Sequence, residues 1–74
     1  MDLTKQEKEL LYFEEQTTGL TTGQKEHAVR ERFDISLFRY HARVQRVIDR
    51  PEAMILAPVL VQKLLRRRER RAMN

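Results

Sequence analysis

Apolar residues recur at helical spacing along most of this chain, and polar breaks divide them into separate segments. The clearest case is the third segment, whose apolar side consists of Leu37, Tyr40, Val44, Val47 and Ile48. Residues three or four apart share one side of an α-helix, so this spacing predicts a helix that buries one face. The same analysis of the other segments predicts an all-α fold, a small bundle of four to five helices.

Capping and turn residues set the bounds of the predicted helices. Thr4 and Glu7 have the spacing of a capping box, Gly19 suits the C-cap of the first helix, and Leu20 after it is expected to anchor the loop in the core. Prolines favour the first turn of a helix and disfavour helix before them, so Pro51 and Pro58 mark new segments. The predicted helices run from the Thr4 capping box to about Gln16, from about Gln24 to Phe33, from Leu37 to about Asp49, from Pro51 to about Leu56, and from Val59 to about Ala72.

Three of the remaining four helices have their own expected apolar side. These sides are Leu3, Leu10, Leu11 and Phe13 for the first, Ala28, Val29 and Phe33 for the second, and Val59, Leu60, Val61, Leu64 and Leu65 for the last. The last helix begins apolar and ends basic. We therefore divide the chain into a helical domain, residues 1–65, and a basic C-terminal segment, residues 66–74, that continues the last helix.

The residues between the second and third predicted helices are typical of a tight helix–helix turn. Asp34 tolerates a positive φ at modest cost, Ile35 can fill the angle between the helices, and Ser36 is a good N-cap. These features predict a helix-turn-helix with Leu37 to Asp49 as its recognition helix. One departure is Arg30, which stands where the motif commonly has a small residue at the helix crossing.

Charge is distributed unevenly along the sequence. Residues 1–24 carry two lysines and five carboxylates. Residues 25–50 carry seven cations and four carboxylates, and residues 51–74 carry six cations and two carboxylates. The formal net charge is +4. An acidic first helix followed by a basic body indicates an anionic partner for the later helices, although a solvated charged surface is the alternative.

Double-stranded DNA is the partner that this pattern favours. In the third helix Arg39, Arg43 and Arg46 would form a ridge that contacts phosphates or guanine edges, and Gln45 could read adenine. Phosphate contact is our first interpretation of the basic segment, and a frayed solvated helix end is the second. The candidate DNA-binding residues are Ser36, Phe38, Arg39, Ala42, Arg43, Gln45, Arg46, Arg66, Arg67, Arg68, Arg70 and Arg71.

Other classes of protein are less consistent with the residues present. There is no cysteine, and His27 and His41 do not have the spacing of a metal pair, so we expect no metal, no cofactor and no enzyme activity. No apolar run is long enough to cross a bilayer, and the N-terminus does not have the pattern of a signal peptide. We therefore expect a cytoplasmic protein that does not bind membranes.

Two further alternatives stay open. The first is a protein-binding adaptor, in which the acidic first helix and an exposed Phe38 dock a partner such as a component of the transcription machinery. The second concerns oligomeric state, because the apolar stretch Val59 to Leu65 could be a homodimer interface as easily as core.

The chain also resembles a known family over nearly its whole length. The matching segments are Leu3 with Phe13 to Gln16, Glu26 to Phe33, Ile35-Ser36, Arg39-Tyr40, Val47 to Ala53, and Pro58 to Val61 with Leu64 to Arg67. It is similar to a group of short actinobacterial and actinophage proteins that is classed as a domain of unknown function and expected to contain a helix-turn-helix. Members tend to have glycine where this chain has Asp34, and a tryptophan-rich stretch where it has Thr17 to Thr22.

Overall fold

The backbone is helical along most of its length. The computed structural model describes residues 2–73, and this part of the chain forms five α-helices and no strand. The helices are α1 (Lys5–Gln16), α2 (Thr22–Phe33), α3 (Leu37–Ile48), α4 (Pro51–Leu56) and α5 (Pro58–Met73). The all-α bundle predicted from the sequence is confirmed, and most helix ends lie within one residue of the predicted ones.

Helix α3 forms the centre of the bundle, because it packs against each of the other four helices. Its predicted apolar side is confirmed: Tyr40, Val44, Val47 and Ile48 are buried, and Leu37 is partly buried against them. The remaining core side chains come from the other helices and from a residue two positions before α1: Leu3, Leu10, Leu11, Val29, Ala53, Val61 and Leu64. With one face buried along its length, α3 leaves only its outer face available for a partner.

The turn between α2 and α3 has the backbone conformation that the sequence predicts. Asp34 has φ 56° and ψ 40°, the left-handed region, and its N–H donates to the carbonyl of Arg30 at 2.9 Å. Ser36 caps α3, since its hydroxyl accepts from the N–H of Arg39 at 3.2 Å. At the crossing, Val29 is fully buried while Arg30 is exposed, so the bulky arginine does not separate the helices.

The loop between α1 and α2 differs from the prediction in three ways. The C-cap of α1 is Thr17, not Gly19, which lies two residues later with φ 94°. Leu20, expected in the core, is 42% exposed. Helix α2 begins at Thr22 rather than near Gln24, because Thr21 and Gln24 form a second capping box. Threonine hydrogen bonds, including Thr17 Oγ1 to the Phe13 carbonyl at 2.8 Å, hold this loop in place of an apolar anchor.

The prediction for Val59 is also wrong, because this side chain is 76% exposed. Val61 and Leu64 are the α5 residues that enter the core, and Val59 is displaced from Val61 by two residues, or about 200° around the helix. The helix itself continues without interruption through the basic segment to Met73.

Removing the Ser36 hydroxyl tests whether this side chain caps α3 at the turn after α2. Ser36→Ala should lower the free energy of unfolding by about 0.5–2 kcal/mol, because the Arg39 N–H loses its acceptor. Thermal unfolding measured by circular dichroism gives the change. Ser36→Thr, which keeps a hydroxyl, is the control, and its free energy of unfolding should fall much less. Equal stability of the alanine variant and the parent would contradict the capping role.

Candidate nucleic-acid interface

Three arginines form a continuous ridge on the outer side of α3. Arg39, Arg43 and Arg46 are all exposed, and within residues 2–73 no ion pair involves any of them. Their i, i+4, i+7 spacing places them on one side of the helix over about 10 Å. Ala42, also exposed, lies beside the ridge and leaves the backbone accessible. We call these three residues the arginine ridge.

The arginine ridge faces the acidic first helix on one side. Arg43 and Arg46 line a surface pocket of about 480 Å³ together with Arg32 of α2 and with Glu7 and Glu9 of α1. The Glu7 carboxylate is already engaged, because Arg50 donates to it at 2.7 Å and it accepts from the N–H of Thr4. These contacts, the Thr4 bond foremost, lower the pKa of Glu7, so it stays ionised. The ridge therefore keeps its own positive charge but has carboxylates at its edge.

The opposite side of α3 borders a groove against α5. Phe38, His41, Ala42 and Gln45 form its α3 wall, and Leu64, Arg67, Arg68 and Arg71 form its α5 wall. The groove has a volume of about 460 Å³. Phe38 is 84% exposed at its edge, more than any other large hydrophobic residue whose burial the structure describes. We call this cleft the α3–α5 groove.

The structure separates the five arginines of the basic segment. Arg67 and Arg71 line the α3–α5 groove, and Arg68 crosses to α3, where it contacts Asp49 at 2.9 Å and donates to the Gln45 side chain at 3.3 Å. Arg66 and Arg70 are exposed on the side of α5 away from Val61. The predicted site residues therefore lie on several surfaces, and the Gln45 oxygen expected to read adenine accepts from Arg68 instead.

A buried polar cluster that the sequence pattern does not predict lies beneath the groove. Glu14 of α1 is only 4% exposed and pairs with Lys25 of α2, whose ammonium group also lies 5.6 Å from the centre of the Tyr40 ring. The Tyr40 hydroxyl makes long contacts with the Glu14 carboxylate, 3.4 Å, and the Leu10 carbonyl, 3.5 Å. Burial, and then the Glu14 charge, raise the pKa of Tyr40 far above its ordinary range, so the hydroxyl remains a donor.

Comparison with known proteins identifies the family. The profile of the family described as "Protein of unknown function (DUF3263)" matches residues 2–74. The chain belongs to this family. No curated protein and no solved structure matches the chain.

The histidines and acidic residues of this family member are the remaining candidates for a chemical site. His41 lies in the groove wall, half-buried, and its pKa is lowered chiefly by burial and next by the nearby Lys25 charge. Across residues 2–73 no group of three or more His, Asp or Glu side chains is placed to hold a metal ion. None of the helices in that range is both long and apolar enough to cross a membrane.

Proposed function

We propose that this protein binds double-stranded DNA as a small cytoplasmic transcriptional regulator. In this proposal α2, the turn at Asp34 and α3 act as a helix-turn-helix, with α3 in the major groove. One observation carries the proposal: the arginine ridge is exposed and unpaired on the outer face of the helix that follows a left-handed Asp34 turn and a Ser36 cap.

The dimensions of the arginine ridge suit a major groove. A helix fits a groove about 12 Å wide, and a ridge about 10 Å long reaches several consecutive base pairs or phosphates. Arg43, at its centre, is the candidate for a bidentate contact to guanine, while Arg39 and Arg46 flank it. Ala42 permits close approach, and Ser36 would lie beside the sugar–phosphate backbone at the start of the helix.

The basic segment contributes mainly charge in this proposal. Arg67 and Arg71 are near α3, so they would contact phosphates beside the major groove. Arg66 and Arg70 lie on the far side of α5 and would raise affinity only through longer-range attraction. Sequence selectivity is therefore assigned to α3 and not to α5.

Deleting residues 66–74 separates these contributions. The deletion removes five arginines and one glutamate, so it should weaken binding to all duplexes alike and reduce the salt dependence. The helical signal of the remaining chain should persist, because the Arg68–Asp49 pair is an exposed contact worth no more than about 1 kcal/mol. Circular dichroism checks the fold, and loss of the whole fold would show that the segment is part of the core.

A titration of the parent protein tests the proposal itself. Fluorescence anisotropy with labelled duplexes, including a pool of genomic fragments, should show binding that weakens steeply as salt is raised between two concentrations. If no duplex shows salt-dependent binding, the DNA-binding proposal fails.

The exposure of Phe38 favours a second candidate function, that of a protein-binding adaptor. An aromatic ring that is 84% exposed at the edge of a groove is typical of a residue that anchors a protein partner, for example a component of the transcription machinery. The sequence predicts this role for Phe38 together with the acidic first helix. In the structure, Glu14 is the one α1 residue that lines the groove with Phe38.

A further inference from the structure

The α3–α5 groove has the charge of a receptor for anions. Arg67 and Arg71 line it, and within the described part of the chain neither forms an ion pair. The only carboxylate in its lining, that of Glu14, is buried and neutralised by Lys25. The exposed part of the groove is therefore positive, and it would repel a basic partner.

The same groove also has an apolar component. Phe38 is exposed at its edge, Ala42 is exposed on the same wall, and the core residue Leu64 presents the 7% of its surface that is exposed on the opposite wall. A phosphate backbone makes no use of an aliphatic and aromatic surface, whereas an apolar side chain gains free energy by leaving water there. The combination of unpaired cations with apolar groups thus favours a peptide over a nucleic-acid backbone.

The length of the groove limits the size of the occupant. The α3 wall from Phe38 to Gln45 and the α5 wall from Leu64 to Arg71 each span seven residue steps, or about 10 Å. This length accommodates about two turns of a helix, which present two or three side chains on a single face.

We propose that the α3–α5 groove is a docking site for a short acidic peptide segment that carries a bulky apolar side chain. The apolar side chain lies against Phe38 and Leu64, and the acidic groups of the segment pair with Arg67 and Arg71. This inference deepens the second candidate function by giving the chemistry of its partner. It does not depend on DNA binding, for which the arginine ridge on the other side of α3 is the main contact and Arg67 and Arg71 add only phosphate contacts.

Binding of a defined probe to the full chain tests the inference. The probe is a fluorescein-labelled peptide of about twelve residues, built from Asp and Glu with Leu and Phe four positions apart so that they share a helix face. One control peptide has Ser in place of Leu and Phe, and a second has Lys in place of the acidic residues. Anisotropy at low salt should show binding of the first peptide, weaker binding of the serine peptide and none of the lysine peptide.

Variants of the protein locate the binding surface. R67Q/R71Q and F38A should each weaken probe binding by about tenfold, because they remove the charge and the apolar contact respectively. R66Q/R70Q removes the same charge from the far side of α5, and V59A shortens another exposed apolar residue, so each should change the affinity by less than about twofold. The substituted side chains are exposed, and circular dichroism confirms that each variant is folded.

Several results would overturn the inference. It fails if the acidic probe does not bind, if the serine peptide binds equally well, or if R66Q/R70Q weakens binding as much as R67Q/R71Q. Tight binding of the lysine peptide at Phe38 would preserve the adaptor function but refute an acidic partner. If a single-stranded or duplex oligonucleotide binds instead, with loss in both R67Q/R71Q and F38A, the groove is a nucleic-acid surface.

Discussion

Replacing Lys25 by methionine should lower the free energy of unfolding by about 3 kcal/mol, at the lower end of the range for breaking a buried ion pair. The substitution leaves the Glu14 carboxylate, 4% exposed, without its cation beneath the α3–α5 groove. Among the residues that the structure describes, the long contact from the Tyr40 hydroxyl is then the one that remains for this charge. The side chain of Lys25 is 16% exposed, so some water reaches the pair, and the effect is smaller than for a fully enclosed one.

A second substitution identifies the cause of this loss. Glu14→Gln in the Lys25→Met background removes the uncompensated charge and keeps an acceptor for Tyr40, so it should restore most of the lost stability. Chemical denaturation of the parent, both single variants and the double variant provides the double-mutant cycle. Lys25→Met with unchanged stability, or a double variant no more stable than Lys25→Met alone, would show that Lys25 does not stabilise the fold by neutralising the buried Glu14 charge.

Replacing the whole arginine ridge should have the largest effect on DNA binding. R39A/R43A/R46A removes three exposed cations, and at about 1 kcal/mol or more for each contact the affinity for duplex DNA should fall by about 100-fold or more. The fold should be retained, since no ion pair within residues 2–73 depends on these side chains. Anisotropy titrations with the same duplexes measure the change.

K63A/R66A/R70A is the matched control, because it removes three cations from the side of α5 away from Val61. It should reduce affinity by no more than about tenfold, through long-range charge alone. Equal losses in the two triple variants would mean that net charge, and not the ridge, determines binding. The single variant Arg43→Ala then separates base from phosphate contact: loss limited to particular sequences indicates a guanine edge, and uniform loss with a lower salt slope indicates a phosphate.

Local sequence features were sufficient to predict most of the helices. Each of the caps Thr4 and Ser36 acts through a hydrogen bond to a backbone N–H three residues away, so its effect can be read from neighbouring residues alone. The stripe from Tyr40 to Ile48 likewise follows from helical spacing. The left-handed conformation of Asp34 was predictable because few residues other than glycine, Asn and Asp adopt it readily.

The incorrect predictions concern features that depend on packing between distant segments. Leu20 and Val59 are apolar but exposed, and the rotation of α5 that buries Val61 in place of Val59 is determined by α3 and α4. The second capping box, at Thr21, could have been found from Gln24 three residues later. For the Glu14–Lys25 pair, the burial of Glu14 could be predicted because it lies on the same side of α1 as Leu10. Its pairing with Lys25 could not, because nothing near Lys25 in sequence indicates its partner.

The candidate site likewise has some features that the sequence predicts and others that depend on the packing of distant segments. The spacing of Arg39, Arg43 and Arg46 predicted an exposed ridge, and the structure places all three at the surface of α3. Sequence could not show that Arg67 and Arg71 lie across a groove from Phe38, or that Arg68 reaches Gln45, because these relations depend on how α5 packs beside α3. The separation of the ridge from the groove is therefore a result of the tertiary structure.

The central claim is that α3 presents its arginine ridge to duplex DNA. Its most direct test is a titration of the isotopically labelled protein with a short duplex at low salt, followed by amide chemical shifts in heteronuclear correlation spectra. If α3 binds DNA through the ridge, the shifted amides should cluster on the outer side of α3 and around Ser36, with smaller changes on the groove-facing side of α5 near Arg67 and Arg71. A spectrum that no duplex alters, or one in which the changes leave α3 unaffected, would contradict the claim.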